Sequence, residues 1–93
     1  MVDSGNPYNE IRKGNNTYIR EFAVDTDSSE LIWHRDKEDR KVTILEGNGW
    51  KFQRDNELPI LLNEGDTIYI KKNEYHRIIK GDTNLKISLL KII

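Results

Sequence analysis

Cysteine is absent from the 93 residues, so neither a disulfide nor a thiolate metal site can exist. Any metal must be held by histidine, carboxylate or amide groups. The absence also fits a reducing compartment. Long hydrophobic runs are lacking too. The longest apolar-rich stretch, Leu85 to Ile93, is about half of what a membrane-crossing helix needs. Met1 to Pro7 hold no apolar run, so no signal peptide is expected, and a soluble, cytoplasmic protein is. Nor is there an excess of one charge: 15 Lys+Arg stand against 16 Asp+Glu, interleaved as in Arg35-Asp36-Lys37-Glu38-Asp39-Arg40. That argues against nucleic-acid and membrane partners and leaves a small molecule as the expected ligand. With no cysteine and no serine beside a histidine in sequence, nucleophilic acyl transfer has no support. No glycine-rich phosphate loop occurs either.

What is present is alternation. Tyr18, Phe22 and Val24 share one face at period two, with Arg20 as the exception in that row. Further strand-like segments run over Leu31–Asp36, Lys41–Leu45, Trp50–Gln53, Pro59–Leu62, Thr67–Ile70, Tyr75–Ile79 and Leu85–Ile92. Turn residues separate them, among them Gly47-Asn48-Gly49, Asp55-Asn56-Glu57, Asn63-Glu64-Gly65-Asp66 and Gly81-Asp82. No segment sustains a 3.6-residue period, and Val42, Thr43 and Ile44 are β-branched. Short, evenly spaced strands predict an all-β domain that closes on itself to hide its edges. The length suits one such domain. It is placed at residues 16–93, after an irregular polar arm at 1–15 that has room for a short strand or turn at Tyr8 to Ile11.

The residues that carry chemistry fall in two segments. His34 and Asp36 are two apart on a strand, so they face one side together, where an imidazole nitrogen and a carboxylate oxygen can share an ion. Further on, Gly65-Asp66 opens a strand, Asn73 supplies a residue tolerant of left-handed backbone, and His76 follows. In these two segments the chain resembles the cupin superfamily, whose first motif reads His-x-His, then Glu, then Gly, and whose second reads Gly, then Pro-x-Gly-x-x-His. His34, Gly47, Gly65 and His76 match. Asp36 stands for the second His, Arg40 for the Glu, Lys71 for the Pro and Asn73 for the second motif's inner Gly.

The resemblance spans residues 30–90 and implies a cupin-type double-stranded β-helix, or jelly-roll, barrel. It also implies a divalent metal (Fe, Mn, Ni or Zn) on His34, Asp36 and His76. These three make a 2-His-1-carboxylate set, which leaves coordination positions open for substrate. Oxygenases that use 2-oxoglutarate share this ligand order, but the chain is short for one. Implied activities are a metal-dependent dioxygenase, or an isomerase or lyase acting on a sugar or organic acid. In that scheme Arg40 binds a substrate anion, Gln53 and Tyr69 line the pocket, and Glu46 or Tyr75 serves as acid/base. The alternative is a metal-free binding or regulatory module, with Arg40 paired to Asp36 and the histidines acting as hydrogen-bonding groups. A third is a purely structural barrel. A homodimer is expected, with the polar arm and the Leu85–Leu90 strand as material for pairing with a partner.

Overall fold

The computed structural model describes residues 7–93. Eight strands make up the chain: β1 (Asn9–Gly14), β2 (Thr17–Phe22), β3 (Asp39–Glu46), β4 (Lys51–Arg54), β5 (Ile60–Leu61), β6 (Thr67–Ile70), β7 (His76–Ile79) and β8 (Leu85–Ile92). Between β2 and β3 lies a single 3-10 turn at Ser28–Glu30, and no α-helix occurs among the described residues. The strands form two antiparallel sheets, one of five strands in the order β1-β2-β8-β3-β6 and one of three in the order β5-β4-β7.

The alternation in the sequence becomes rows of side chains between the sheets. On the larger sheet Phe22 pairs with Leu85, Ile87 with Ile44, and Leu89 with Val42, which pairs in turn with Ile68. All of these are buried. The smaller sheet contributes Phe52, and the loops that flank it contribute Leu62 and Trp50. Trp50 is fully buried and donates its indole N–H to the Thr83 carbonyl at 2.6 Å. At roughly 25 cal/mol per Å² of apolar surface, this sandwich core is the main force holding so short a chain together.

Three segments differ from the expectation drawn from sequence. The polar arm is more regular over its described part than the short strand or turn expected at Tyr8 to Ile11: Asn9–Gly14 form β1, the edge strand. A tight connection at Asn15-Asn16, with Asn16 at φ 64°, folds it back on β2. Polarity misled because an edge strand exposes both faces, and every β1 residue is exposed. The strand expected over Leu31–Asp36 is reduced to one bridge, between His34 and His76. Finally, Leu85–Ile92 is internal to the larger sheet, between β2 and β3, so its pairing capacity is used within the chain.

Candidate metal centre

The single bridge is what builds the site. His34 and His76 exchange both backbone hydrogen bonds, at 3.0 and 2.9 Å, so their side chains leave the two backbones on the same side. Their rings meet edge to face with centroids 4.3 Å apart. Asn73 adopts φ 64°, and from this bend its N–H donates to the Asp36 carbonyl at 2.7 Å. The turn that delivers His76 is thereby tied to the segment carrying Asp36. Arg54 clamps the same turn from the other side, reaching Glu74 at 2.5 Å and the Tyr69 carbonyl at 2.8 Å.

Both imidazoles are oriented through Nδ1. The His34 Nδ1 lies 3.1 Å from the Ile32 carbonyl and the His76 Nδ1 2.8 Å from the Glu74 carbonyl. A carbonyl oxygen only accepts, so each Nδ1 carries a hydrogen, and in the neutral ring Nε2 is the nitrogen that keeps a lone pair. Those lone pairs face Asp36. Its Oδ1 is 4.0 Å from His34 Nε2, and its Oδ2 is 3.4 Å from His76 Nε2. Asp36 and His76 are both buried, and Asp36 Oδ2 has no hydrogen-bond partner.

With His76 neutral, its Nε2 and Asp36 Oδ2 are two acceptors facing one another in a buried setting, an arrangement that costs free energy unless a proton or a metal cation joins them, while His34 lies exposed at the mouth of the group. The three residues offer ligand atoms that all lie within 4.8 Å of one another. The donor set fits a divalent ion: two neutral imidazoles, one carboxylate, and Nδ1–H groups fixed by backbone carbonyls, as metal-bound histidines usually have.

Arg40 settles beside this group. Its Nη1 lies 3.3 Å from Asp36 Oδ1 and its Nε donates to Glu38 at 2.7 Å. Burial alone would raise the Glu38 carboxyl, but the hydrogen bond and charge of Arg40 outweigh it and hold Glu38 below its ordinary value. The guanidinium is therefore shared by two carboxylates, and Asp36 turns one oxygen to it and the other to His76.

The site opens into a cavity of about 360 Å³ between the sheets. Its walls are mostly apolar, from residues such as Ile44, Phe52 and Ile87, and its polar lining is His34, Asp36, His76, Arg40 and Arg20. This is within the size range of small-molecule sites, roughly 300–1,000 Å³.

No family model and no curated protein matches the chain. Solved structures do. A cupin 2 conserved barrel domain protein from Leptotrichia buccalis superposes with a TM-score of 0.71 at 23% identity, covering 92% of this chain and 40% of that one. A cupin-2 domain containing protein from Shewanella frigidimarina gives a TM-score of 0.65 at 19% identity, over 88% of this chain and 76% of that one. The chain has the cupin fold. FeII HppE is a third neighbour, with a TM-score of 0.68 at 15% identity, covering 91% of this chain and 48% of that one. This chain spans less than half the length of the first and third of these proteins.

Of the pocket residues expected from sequence, the fold brings four together: His34, Asp36, His76 and Arg40 all line the cavity. The other four do not line it. Glu46 follows Arg40, Val42 and Ile44 at period two, but a bulge between Ile44 and Glu46 shifts the register. Glu46 therefore turns out towards Lys86, 3.8 Å away. Tyr69 is exposed and pairs with Lys41, on the face of β6 opposite the buried Ile68 and Ile70. Tyr75 is exposed, with the Arg35 guanidinium 5.2 Å from its ring centroid. Gln53 accepts from Arg77 Nε and donates to the Glu57 carbonyl, both at 2.9 Å. Arg20 and Tyr8 do line the cavity and were not assigned to it from sequence. The available signal was Arg20 itself, the one charge in the inward row of β2.

Burial, the largest influence, pushes His76 below the ordinary imidazole value of 6.5. The neighbouring His34 and Arg40 act in the same direction, while the Glu74 carbonyl and Asp36 oppose it. Above the ordinary value, folded and unfolded His76 are both neutral and stability does not depend on it. As pH falls below that value the unfolded chain takes up the proton first, so stability drops until the folded-state value is passed. Metal-free protein should therefore show a falling urea midpoint from pH 7.5 to pH 5. The fall should be clearly smaller in His76→Gln, and an identical fall in both proteins would assign it to other groups.

Proposed function

We propose that this cupin binds one divalent metal ion on His34, Asp36 and His76 and acts on a small organic molecule held in the cavity beside it. One observation carries the reading: the unpartnered Asp36 Oδ2 faces the His76 Nε2 lone pair at 3.4 Å inside the protein. A bound divalent ion supplies Lewis-acid polarisation of an oxygen on the substrate. The chain's own residues prepare that step. The Ile32 and Glu74 carbonyls hold the imidazoles with Nε2 free. Arg40 engages Asp36 Oδ1 and leaves Oδ2 available. The apolar walls exclude water and lower the local dielectric, which strengthens every charge interaction within. The neighbouring FeII HppE supports an iron-type occupant by analogy of fold.

The second reading, a metal-free binding module, draws on the 3.3 Å Arg40–Asp36 pair, which supplies Asp36 with a countercharge without any ion. Metal analysis separates the two. Protein purified without chelator or a nickel column, and again after reconstitution with Fe(II), Mn(II) or Zn(II), should hold one ion per chain. His76→Ala should lose it, with affinity lowered at least about a hundredfold, beyond the range expected for a lost supporting contact. Wild-type protein that stays metal-free after reconstitution would leave the binding module standing.

A further inference from the structure

We infer that the cavity takes a monoanionic carboxylate with an apolar body, and that Arg20 is the residue that binds its carboxylate. This rests on the cavity's being the ligand site proposed above.

Arg20 occupies an inward position of β2, between Tyr18 and Phe22 and across from Ile87. Its side chain is only 12% exposed. A guanidinium is costly to place in such a row and needs compensation. Its compensation is incomplete in a particular way. Glu10, its cross-strand partner on β1, engages Nε alone. The Tyr8 ring lies beneath the guanidinium plane, with its centroid 4.2 Å from Cζ. No other partner of the terminal nitrogens occurs among the described residues. The group is thus pinned at one edge and along one face, and among the described residues its remaining N–H groups have no partner, which suits a planar carboxylate that guanidinium binds as a two-pronged fork. Arg40 differs: its Nε and Nη1 are already committed to Glu38 and Asp36.

The charges select the valence of the ligand. With neutral imidazoles, Asp36, Glu38 and Arg40 sum to −1. A divalent ion brings the site to +1, and the Arg20–Glu10 pair adds nothing. A monoanion neutralises this buried charge, whereas a phosphate dianion overshoots it. The apolar walls match a hydrocarbon body in preference to a polyhydroxylated one.

Calorimetric titration with hexanoate, and with hexanamide as its uncharged counterpart, tests the assignment on zinc-loaded and metal-free protein. Hexanoate should bind, and hexanamide about tenfold more weakly or worse. Arg20→Met should weaken hexanoate by about 10- to 100-fold while its metal content stays at the wild-type level, and Arg20→Lys should recover part of the loss. Glu10→Gln removes the carboxylate that neutralises Arg20 through Nε and leaves its full positive charge for the ligand, so it should tighten hexanoate binding several-fold. That variant carries the test if Arg20→Met fails to fold, and unchanged or weaker binding by it would overturn the assignment. So would no hexanoate binding to wild type, equal binding of acid and amide, or indifference to Arg20→Met. Arg20-dependent hexanoate binding to a protein that never holds metal would retain Arg20's role and remove the metal centre. Stoichiometric metal with no role for Arg20 would do the reverse.

Discussion

Asp36→Asn should abolish metal-induced stabilisation while leaving the metal-free fold at least as stable as wild type. In the metal-free protein Asp36 Oδ2 is buried without a partner and faces the lone pair of His76 Nε2 at 3.4 Å. The asparagine amide oxygen can keep the contact that Oδ1 makes with Arg40, and its NH₂ group can point at His76 as a donor. A repulsive contact becomes a hydrogen bond, worth about 1 kcal/mol. The charge lost from beside Arg40 is partly covered by Glu38, which remains 2.7 Å from its Nε. The metal-bound state responds in the opposite sense, because the neutral amide is a far poorer ligand than a carboxylate. An ion present at a thousand times its dissociation constant stabilises the folded state by about 4 kcal/mol. In the variant that term should fall to near zero. Melting curves with and without Zn(II) read both effects. A metal-free variant that is less stable by more than about 2 kcal/mol would make Asp36 chiefly a counterion for Arg40. A retained zinc shift would remove it from the ligand set.

Trp50→Ala should bring the domain to the edge of unfolding. Trp50 is fully buried, its ring centroid lies 6.1 Å from that of Phe22, and its indole N–H is bonded to the Thr83 carbonyl. Truncating a large buried aromatic costs about 3–5 kcal/mol, to which an orphaned carbonyl adds. Small domains have a total stability of only about 5–15 kcal/mol. Urea unfolding of Trp50→Ala should show at least about 3 kcal/mol of the wild-type stability lost. Trp50→Phe, which keeps an aromatic ring and drops only the N–H, should lose much less. A loss below about 2 kcal/mol for the alanine variant would mean that the core collapses around the gap.

The local features of this chain were legible in order. Thr67–Ile70 and Leu85–Ile92 form strands over the residues that alternation marks. Asn73 takes the left-handed bend expected of it, and both histidines reach the same pocket. Side-chain alternation depends on neighbours two residues away, and left-handed backbone depends on the residue itself. Such features survive without knowledge of the rest of the fold. The resemblance in the spacing of His34, Gly47, Gly65 and His76 added the cupin fold.

What depends on distant pairing was not legible. Glu46 leaves the inner face because β3 slips by one residue against β8 at its end, which no period-two count reveals. Arg20 reads as an interruption in an apolar row, and only the stacking of the two sheets turns that row towards the cavity. Sequence set His34 and Asp36 side by side and left Arg40 as either a ligand-binding residue or the partner of Asp36. The folded chain gives Asp36 both neighbours, Arg40 at one oxygen and His76 at the other, because β7 returns from the far side of the barrel to bridge His34. Sequence by itself thus determined which residues can face together within each strand. The tertiary structure alone decided which of those faces meet, because that is set by register and by contacts between segments far apart in the chain.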